Sequence, residues 1–397
     1  MRLSWFPIRV TAAAACLALV GATAGLQAQA GTEPTATTAY SLYVASESGD
    51  IVTRVEVGPE GWRKAGEVSV KLTPAGISGP HNVAVSPDGR FWYVSISHGT
   101  PNGSIWKYDA GTDRLVARAS VGMFPTTIAL SADGAWAYVP NSDFHGDRGR
   151  QNTVTALYTP TMQALTEIPV CDMPHGTRWN SASTVVYVAC MMSDELVTLD
   201  PGTFTVRRRV ALGSGRPMTM AEHMRAEARH DSAAHAAPRR PGAASSTLPG
   251  QNPDCLATFV SVSPDDRTVY IACSHSNELQ VRDASTLELA RRIEVGAGAY
   301  NVEPSPDGRL VLVTNKKAQS VSVVDARTHR ELARVPTSKP LPHGIAFSPD
   351  GRYAFVTCES VGTDPGAVDA IDLTTLQRVA SIEIPLQPTG IAVAPGR

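Results

Sequence analysis

The sequence predicts an all-β fold, a seven-bladed β-propeller made of four-stranded antiparallel blades. The first observation is a repeated phrase: "HNVAVSPDGRFWYVSIS" at residues 81–97 returns in similar form from residues 126, 175, 258, 300 and 343. Repetition at about 40–45 residues is typical of propeller blades. The second observation is composition, because 32 Gly, 29 Pro and 43% hydrophobic residues suit many short strands joined by tight turns.

Each copy of the phrase reads as a β-hairpin. Apolar and polar residues alternate in "NVAVS" and again in "RFWYVS", which is the period of a half-buried strand. The Ser-Pro-Asp-Gly between them supplies the residues that a tight hairpin turn needs. Two further runs, such as "SIWKYD" and "RLVARASV", complete a four-stranded antiparallel meander.

Seven units follow from one anchor position in the second strand of the hairpin. From the first unit to the last, this position holds Tyr43, Tyr93, Tyr138, Tyr187, Tyr270, Leu312 and Phe355. The first unit lacks its first strand, whereas the fragment "PTGIAVAPGR" from Pro388 matches that strand and then stops. We therefore expect the N- and C-terminal strands to share one blade, which closes the ring and hides its edges.

Two segments differ from the repeats. Residues 1–30 join a basic start to an apolar run that ends in small residues, which predicts a secretory signal peptide cleaved near Ala30. The mature protein would then be periplasmic or secreted, with the propeller in residues 31–397. Residues 216–254 are rich in Ala, Pro, Ser and Gly and lack strand alternation, so they predict a flexible insertion between the fourth and fifth blades.

Charge and motifs narrow the classes of partner. With a net charge of −2 and 18% charged residues, the chain has no basic field for nucleic acid. Beyond the signal peptide it has no apolar run long enough to span a membrane, so we expect none in the mature protein. A small molecule, a metal or a protein at one face of the propeller is the expected partner. Gly-x-Ser-x-Gly and His-Glu-x-x-His motifs are absent, but this absence does not exclude an enzyme. Because the repeated residues mostly build a scaffold, we expect a binding or interaction module.

The cysteines indicate an oxidising compartment. Five cysteines follow the signal peptide: Cys171, Cys190, Cys255, Cys273 and Cys358. Up to two disulfides are possible with one thiol left over, and we predict at least one bridge among the first four. The pairing itself stays open. The sequence contains no Cys-x-x-Cys-His, so we expect no covalent c-type haem.

The candidate functional face is the end of the propeller where first strands start and second strands finish. Three of the seven strand starts are histidines: His81, His175 and His343. Three of the seven strand ends are cysteines: Cys190, Cys273 and Cys358. The insertion leaves from the same face and adds Met218, Met220, His223 and Met224. Imidazole, thioether and thiolate ligands together suit copper, so we hypothesise a copper site on this face.

A purely structural interpretation stands beside the copper hypothesis. Each histidine could fix a neighbouring backbone carbonyl, and small cysteines are often buried apolar residues. The histidines belong to the second, fourth and seventh blades, so one ion could collect all three only if the channel is narrow. Aspartates recur at one turn position, and we predict that they serve the turn backbone: Asp88, Asp133, Asp265, Asp307 and Asp350.

The second strands also carry a family resemblance. "YVA", "YVP" and "LVTN" after "SPDG" resemble the YVTN-type bacterial β-propeller repeats over about residues 40–397. The resemblance implies a periplasmic seven-bladed propeller. It says little about activity, because relatives of this architecture include lactonase-like hydrolases, surface-layer proteins and propeller domains of nitrogen-oxide reductases that hold haem or copper. The alternative to a binding module is therefore a lactonase-like hydrolase or a redox protein with bound copper or haem.

Overall fold

The computed structural model describes residues 40–74, 76–99, 102–143, 152–213 and 255–395. Within these ranges the regular elements are 28 β-strands in seven four-stranded sheets. The predicted signal peptide and nearly all of the insertion lie outside the described residues, so both stay predictions. No helix in the described ranges is long and apolar enough to cross a membrane.

The strands of the first four blades follow one another along the chain. The chain begins with β1 (Tyr40–Ser46), β2 (Ile51–Gly58) and β3 (Gly61–Ser69) of the first blade. The second blade contains β4 (Pro80–Val85), β5 (Phe91–Ile96), β6 (Ser104–Asp109) and β7 (Arg114–Ser120). The third contains β8 (Ala129–Leu130), β9 (Trp136–Asn141), β10 (Thr153–Tyr158) and β11 (Gln163–Pro169). The fourth contains β12 (Pro174–Trp179), β13 (Val186–Cys190), β14 (Glu195–Asp200) and β15 (Thr205–Ala211).

The last three blades repeat the pattern after the insertion. The fifth contains β16 (Ala257–Val262), β17 (Thr268–Cys273), β18 (Glu278–Asp283) and β19 (Leu289–Glu294). The sixth contains β20 (Ala299–Pro304), β21 (Leu310–Asn315), β22 (Ser320–Asp325) and β23 (Arg330–Pro336). The seventh contains β24 (Pro342–Phe347), β25 (Tyr353–Cys358), β26 (Gly366–Asp372) and β27 (Gln377–Ile384), and β28 (Pro388–Pro395) ends the described chain.

The ring is closed by β28 and β1. Tyr43 pairs with Ala392 and Val44 with Ile391 in antiparallel register, and the first sheet has the order β28-β1-β2-β3. β28 thus takes the innermost place of the first blade and contacts the innermost strands β4 and β24 on either side. The prediction of an all-β, seven-bladed propeller closed by its two terminal strands is confirmed.

The hydrophobic core lies between blades. One cluster joins Tyr43 and Val52 of the first blade to Trp92 and Tyr108 of the second, with the last two rings stacked 4.0 Å apart between centroids. Another joins the first blade to Phe355 of the seventh. Because a sheet face is buried only by the next sheet, no blade has a complete core of its own. The closed ring is therefore the unit of stability.

Neighbouring blades are also joined near the channel by hydrogen bonds to one backbone position. From the first blade to the seventh, this ring position holds Thr389, His81, Thr126, His175, Thr258, Tyr300 and His343. At each blade contact, a side chain of one blade donates to the ring-position carbonyl of the next. In four contacts the donor is the ring side chain itself: Thr389 Oγ1 to His81 O (2.7 Å), Thr126 Oγ1 to His175 O (3.0 Å), His175 Nδ1 to Thr258 O (3.0 Å) and Thr258 Oγ1 to Tyr300 O (2.5 Å).

In the other three contacts the donor is a hydroxyl of the second strand. These bonds run from Ser95 Oγ to Thr126 O (3.1 Å), from Thr314 Oγ1 to His343 O (3.1 Å) and from Thr357 Oγ1 to Thr389 O (2.7 Å). We call the seven bonds the interblade belt. The belt covers every blade contact of the ring.

The opposite end of the ring, which we call the turn end, carries the hairpin turns. In five blades a serine hydroxyl donates to the aspartate two residues later at 2.5–2.6 Å: Ser86–Asp88, Ser131–Asp133, Ser263–Asp265, Ser305–Asp307 and Ser348–Asp350. Each carboxylate also accepts a backbone N–H within the turn. The aspartates are turn residues, as predicted. In the fourth blade Asn180 replaces this pair and accepts the N–H groups of Thr184 and Val185.

Candidate functional site

The mouth of the propeller, the channel end where the ring positions lie, is shaped by one repeated backbone turn. In all seven blades the residue two places before the ring position has a positive φ of 50–72°: Gly79, Phe124, Met173, Leu256, Gly298, Leu341 and Gln387. Its carbonyl accepts an N–H from the chain leaving the second strand, as Gly79 does from Ser97. Because blades with and without histidine share this turn, it is part of the scaffold and not strain stored at a ligand site.

The three candidate histidines meet at the mouth. The ring centroid of His81 lies 5.7 Å from that of His175 and 5.5 Å from that of His343, in edge-to-face geometry. All three are buried, with exposed fractions of 7%, 3% and 2%. The channel is thus narrow enough to bring together side chains from the second, fourth and seventh blades.

His81 is held by a carboxylate. Its Nδ1 lies 2.9 Å from Oε2 of Glu47, a mostly buried residue that follows β1, and Oε1 of Glu47 lies 3.5 Å from Nε2 of His98. Burial alone would raise the pKa of the Glu47 carboxyl, but the neighbouring His81 and His98 outweigh it and hold the pKa well below its usual range. Glu47 is therefore ionised and orients His81. The opposite nitrogen of His81, Nε2, is buried and has no hydrogen-bond partner.

His175 has both nitrogens engaged. Its Nδ1 makes the belt bond to Thr258 O, and the Tyr300 hydroxyl lies 3.3 Å from its Nε2. Because Nδ1 donates its proton to the Thr258 carbonyl, Nε2 of the neutral ring is unprotonated. It therefore accepts a hydrogen bond from the Tyr300 hydroxyl. Burial, with a smaller contribution from His81, lowers the pKa of His175 to about 3, so the ring is neutral at physiological pH.

His343 lies among charged and aromatic groups. Neither of its nitrogens makes a hydrogen bond of ordinary geometry, although the backbone of Thr389 interacts with the ring and Nε2 is 3.9 Å from Oε1 of Glu359. The same carboxylate oxygen is 2.5 Å from Nζ of Lys316, which also lies 3.8 Å from the ring centroid of Tyr300. Burial, followed by the charge of Lys316, holds the pKa of His343 well below its usual value. A second neutral imidazole is thus present.

Apolar side chains also lie at the mouth. Phe124 packs against both His81 and His98, with centroids 5.7 Å and 5.5 Å apart. In the fourth and fifth blades Met173, Met191, Met192 and Leu256 form a separate buried cluster. Glu47, Lys316 and Glu359 thus belong to the first, sixth and seventh blades, while the third and fourth blades combine these apolar groups with the buried carboxylates of Asp143 and Asp194.

The cysteines do not form the predicted metal site. Cys171 is bonded to Cys190 and Cys255 to Cys273, with Cα atoms 6.0 Å and 4.4 Å apart, which confirms the prediction of at least one bridge. Cys190 and Cys273 are corrected as candidate ligands, because a cystine sulfur offers no thiolate. Cys358 is free and buried, and burial, with the nearby Asp369 carboxylate, raises the pKa of its thiol well above the usual value.

The other copper candidates gain no support. Met218, Met220, His223 and Met224 lie outside the described residues. Among the residues that the structure describes, no group of three or more His, Cys, Asp or Glu side chains is arranged to hold a metal ion. We therefore do not carry the copper hypothesis forward.

Sequence reasoning missed the polar residues around the histidines. Glu47, Lys316 and Glu359 all stand four residues after the anchor position, where the other blades carry Ser or Met. The sequence does contain a signal for them: in three units that adjoin one another in the ring, a charged residue follows a buried strand. Tyr300 was seen at a ring position but not counted as a candidate.

The later part of the chain matches a known family. The family model described as the Cytochrome D1 heme domain matches residues 256–339 and 310–395, which together cover the fifth to seventh blades and the closing strand. These residues carry Tyr300, His343 and Lys316 of the mouth. The YVTN-type resemblance stays a prediction.

Individual proteins are also similar to this chain. The protein NirF of Pseudomonas aeruginosa is 20% identical over 273 residues, which are 68% of this chain and 48% of NirF, so the similarity spans about half of that relative. Among solved structures, the hydrazine synthase of Kuenenia stuttgartiensis has a TM-score of 0.58 at 19% identity, covering 82% of this chain and 92% of that one.

Two further structures share the fold. A functionally unknown protein of Desulfotomaculum acetoxidans has a TM-score of 0.67 at 9% identity, covering 90% of this chain and 99% of that one. Dihydro-heme d1 dehydrogenase NirN, in complex with DHE, has a TM-score of 0.54 at 17% identity, with 89% of this chain and 74% of that one covered. The chain is thus a β-propeller whose last three blades are similar to the Cytochrome D1 heme domain.

Proposed function

We propose that the protein is a periplasmic propeller that binds a haem d1-type tetrapyrrole at its mouth. The observation that carries the proposal is Nε2 of His81, which is buried and unpartnered while Glu47 holds the other ring nitrogen. A carboxylate on one imidazole nitrogen fixes the tautomer and raises the basicity of the other, as around histidines that ligate metals. The match of the last three blades to the Cytochrome D1 heme domain supports the class of ligand.

The residues present fit such a group. His81 would ligate the iron through Nε2, and histidine is a common axial ligand of haem. The three imidazoles pack too closely to admit a macrocycle between them, so the ligand would meet them from outside. Because Nε2 of His81 is buried in this state, binding requires surrounding side chains to move. When bound, the iron would supply a redox-active centre.

The mouth suits an amphiphilic ligand. A tetrapyrrole has an apolar ring with carboxylate substituents, and the mouth offers apolar side chains such as Phe124 together with Lys316 and the exposed Lys317 of the sixth blade. Apolar burial supplies most of the affinity of such sites, and a few polar groups fix orientation. Glu359 already pairs with Lys316, so a ligand carboxylate would compete for the same ammonium.

Titration with iron(III) protoporphyrin IX tests the proposal. We expect a stoichiometric Soret shift in the wild type, and a loss of affinity of about tenfold or more in His81→Ala. The matched control is His329→Asn at the turn end, since Asn keeps the left-handed backbone that His329 adopts (φ 57°). Equal spectra and affinities for His81→Ala and His329→Asn would refute His81 as the ligand, and no Soret shift in the wild type would refute the function.

A catalytic role on the same ligand is the second candidate. The Tyr300 hydroxyl, paired with His175 and covered by Lys316, could transfer a proton next to the ligand. The structural relative NirN is a dihydro-heme d1 dehydrogenase. Incubation with dihydro-heme d1 and ferricyanide as electron acceptor tests this role by absorbance. If the wild type converts dihydro-heme d1 no faster than Tyr300→Phe does, the catalytic role is refuted and only the binding role remains.

Periplasmic location is part of the proposal. It is supported by the Cys171–Cys190 and Cys255–Cys273 bridges, since such disulfides persist outside the cytoplasm. Export of a fusion of residues 1–30 to a periplasmic reporter tests it, with Arg2 and Arg9 both changed to Glu as the control.

A further inference from the structure

At every blade contact the interblade belt has a donor from one of two alternative positions, and Thr127 Oγ1 adds a second donor to His175 O (2.9 Å). The second-strand position two residues after the anchor holds, from the first blade to the seventh, Ala45, Ser95, Pro140, Ala189, Ala272, Thr314 and Thr357. Where this position has no hydroxyl, the ring side chain is Thr or His and makes the belt bond itself. Where it has a hydroxyl, that hydroxyl makes the bond and the ring residue is His81, Tyr300 or His343.

The second-strand hydroxyl is suited to donate the belt hydrogen bond because it connects two blades. Ser95 Oγ accepts the Asn82 N–H of its own blade (2.9 Å), and Thr357 Oγ1 accepts the Gly344 N–H (2.7 Å). Each hydroxyl then donates its single proton to the ring carbonyl of the next blade. A buried carbonyl without a donor is costly, so each blade contact needs one donor, but its source can change.

We propose that Ser95 is a positioning residue: it makes the belt bond of the second blade, so that His81 keeps Nδ1 for Glu47 and turns Nε2 toward the ligand. Thr314 and Thr357 make the corresponding belt bonds of the sixth and seventh blades. The geometry assigns His175 to the scaffold by the same rule. The proposal rests on the proposed function only for the nature of the ligand. The exchange of donors between the two positions can be measured without any ligand.

His81 and His175 show what the exchange does. Both occupy the ring position, but Ser95 supports His81, whereas Ala189 stands in the same place beside His175. His175 therefore turns Nδ1 to the next blade, and His81 keeps Nδ1 for Glu47. If Ser95 lost its hydroxyl, we expect His81 to move Nδ1 from Glu47 to the carbonyl of Thr126.

A double-variant cycle in the second blade tests the exchange. Ser95→Ala should lower the melting temperature by about 1–3 °C, the expected cost of one net hydrogen bond in a domain of this size. Combining it with His81→Thr recreates the arrangement of the first blade, where Thr389 and Ala45 occupy these positions. Ser95→Ala should then lower the melting temperature less in the His81→Thr background than in the wild type, since only the loss of the acceptor for the Asn82 N–H remains. If Ser95→Ala lowers the melting temperature equally in the His81→Thr background and in the wild type, the two positions do not exchange the belt donor.

The same cycle in the seventh blade guards against a local folding failure. Thr357→Ala and His343→Thr should show the same recovery, because Thr357 donates to Thr389 O as Ser95 does to Thr126 O. Lack of recovery in both blades would overturn the proposal.

Titration with iron(III) protoporphyrin IX tests positioning separately. Ser95→Ala should weaken binding by about tenfold, because His81 loses its orientation by Glu47, and Ser95→Thr should restore it. Full affinity in Ser95→Ala would refute a positioning role even if the melting cycle succeeds. If the wild type binds no porphyrin, the proposed function fails, while the two melting cycles still decide whether the donors exchange.

Discussion

The turn end and the mouth are built from the same seven repeats, but they differ in how closely the repeats agree. At the turn end, five hairpins use the same serine-to-aspartate hydrogen bond, as in Ser86–Asp88. At the mouth, the ring position holds Thr, His or Tyr, and three adjoining blades carry the charged residues Glu47, Lys316 and Glu359. Agreement between repeats therefore marks scaffold, and departure from the repeat marks the place where chemistry is concentrated.

The difference has a physical origin. A tight turn makes the same demand each time, because its N–H groups need a side-chain acceptor at a fixed offset. The ring carbonyl demands only a donor, and the structure supplies that donor from either of two strands. The ring side chains are thus free to vary, whereas the turn residues are not.

The largest effect is expected from the covalent links at the mouth. The change of Cys171 and Cys190 together to Ala should lower the free energy of unfolding by about 3 kcal/mol, as expected for a bridge across 19 residues. Denaturant unfolding measures this loss. The matched control is Cys358→Ala, because Cys358 is buried at the same strand-end position but unbridged. Equal losses in the two variants would show that packing, and not the bridge, stabilises this end.

The second largest effect is a difference between the two ends in how their contribution to stability depends on pH. The pKa of His175 is lowered from 6.5 to about 3, so its contribution to stability is complete above pH 6.5 and falls as the unfolded chain takes up a proton below it. At pH 5 the loss should be about 2 kcal/mol. His175→Thr keeps a belt donor and removes the titrating ring, so its stability should change less between pH 6.5 and 5.

The contribution of the turn end to stability should not change between pH 6.5 and 5. The serine hydroxyl lowers the pKa of four turn aspartates below the usual 3.8, so their contribution to stability is lost only in stronger acid: Asp88, Asp133, Asp265 and Asp307. Unfolding in urea at several pH values measures both ranges. A slope between pH 6.5 and 5 that is identical in the wild type and His175→Thr would contradict the assignment of a neutral His175.

The smallest effect tests whether the ends are independent. Ser305→Ala removes a donor to Asp307 and an acceptor for the Leu310 N–H, and should cost about 1–2 kcal/mol of stability. Porphyrin affinity should stay within about twofold, because sites this far apart without shared partners are nearly additive. A large loss of affinity would show that the turn end shapes the mouth.

The fold was predictable because its signals are local and repeated. Alternation and the Asp-Gly turn define each hairpin, and the surplus strand from Pro388 indicates the closure with β1. The meeting of His81, His175 and His343 was not predictable, because it depends on the width of the channel. Nor was the cysteine pairing: Cys190 and Cys273 look like strand-end ligands in sequence, but each has a partner cysteine in the same blade.

Closure by the last strand also has a consequence for biosynthesis. β28 carries Thr389, whose hydroxyl donates to the carbonyl of His81, and it pairs with β1, which precedes Glu47. The groups that hold His81 from both sides therefore depend on a strand that is synthesised after the rest of the ring. A chain still being made or exported cannot complete this blade, so we expect competence to take up a ligand to appear only in the finished ring.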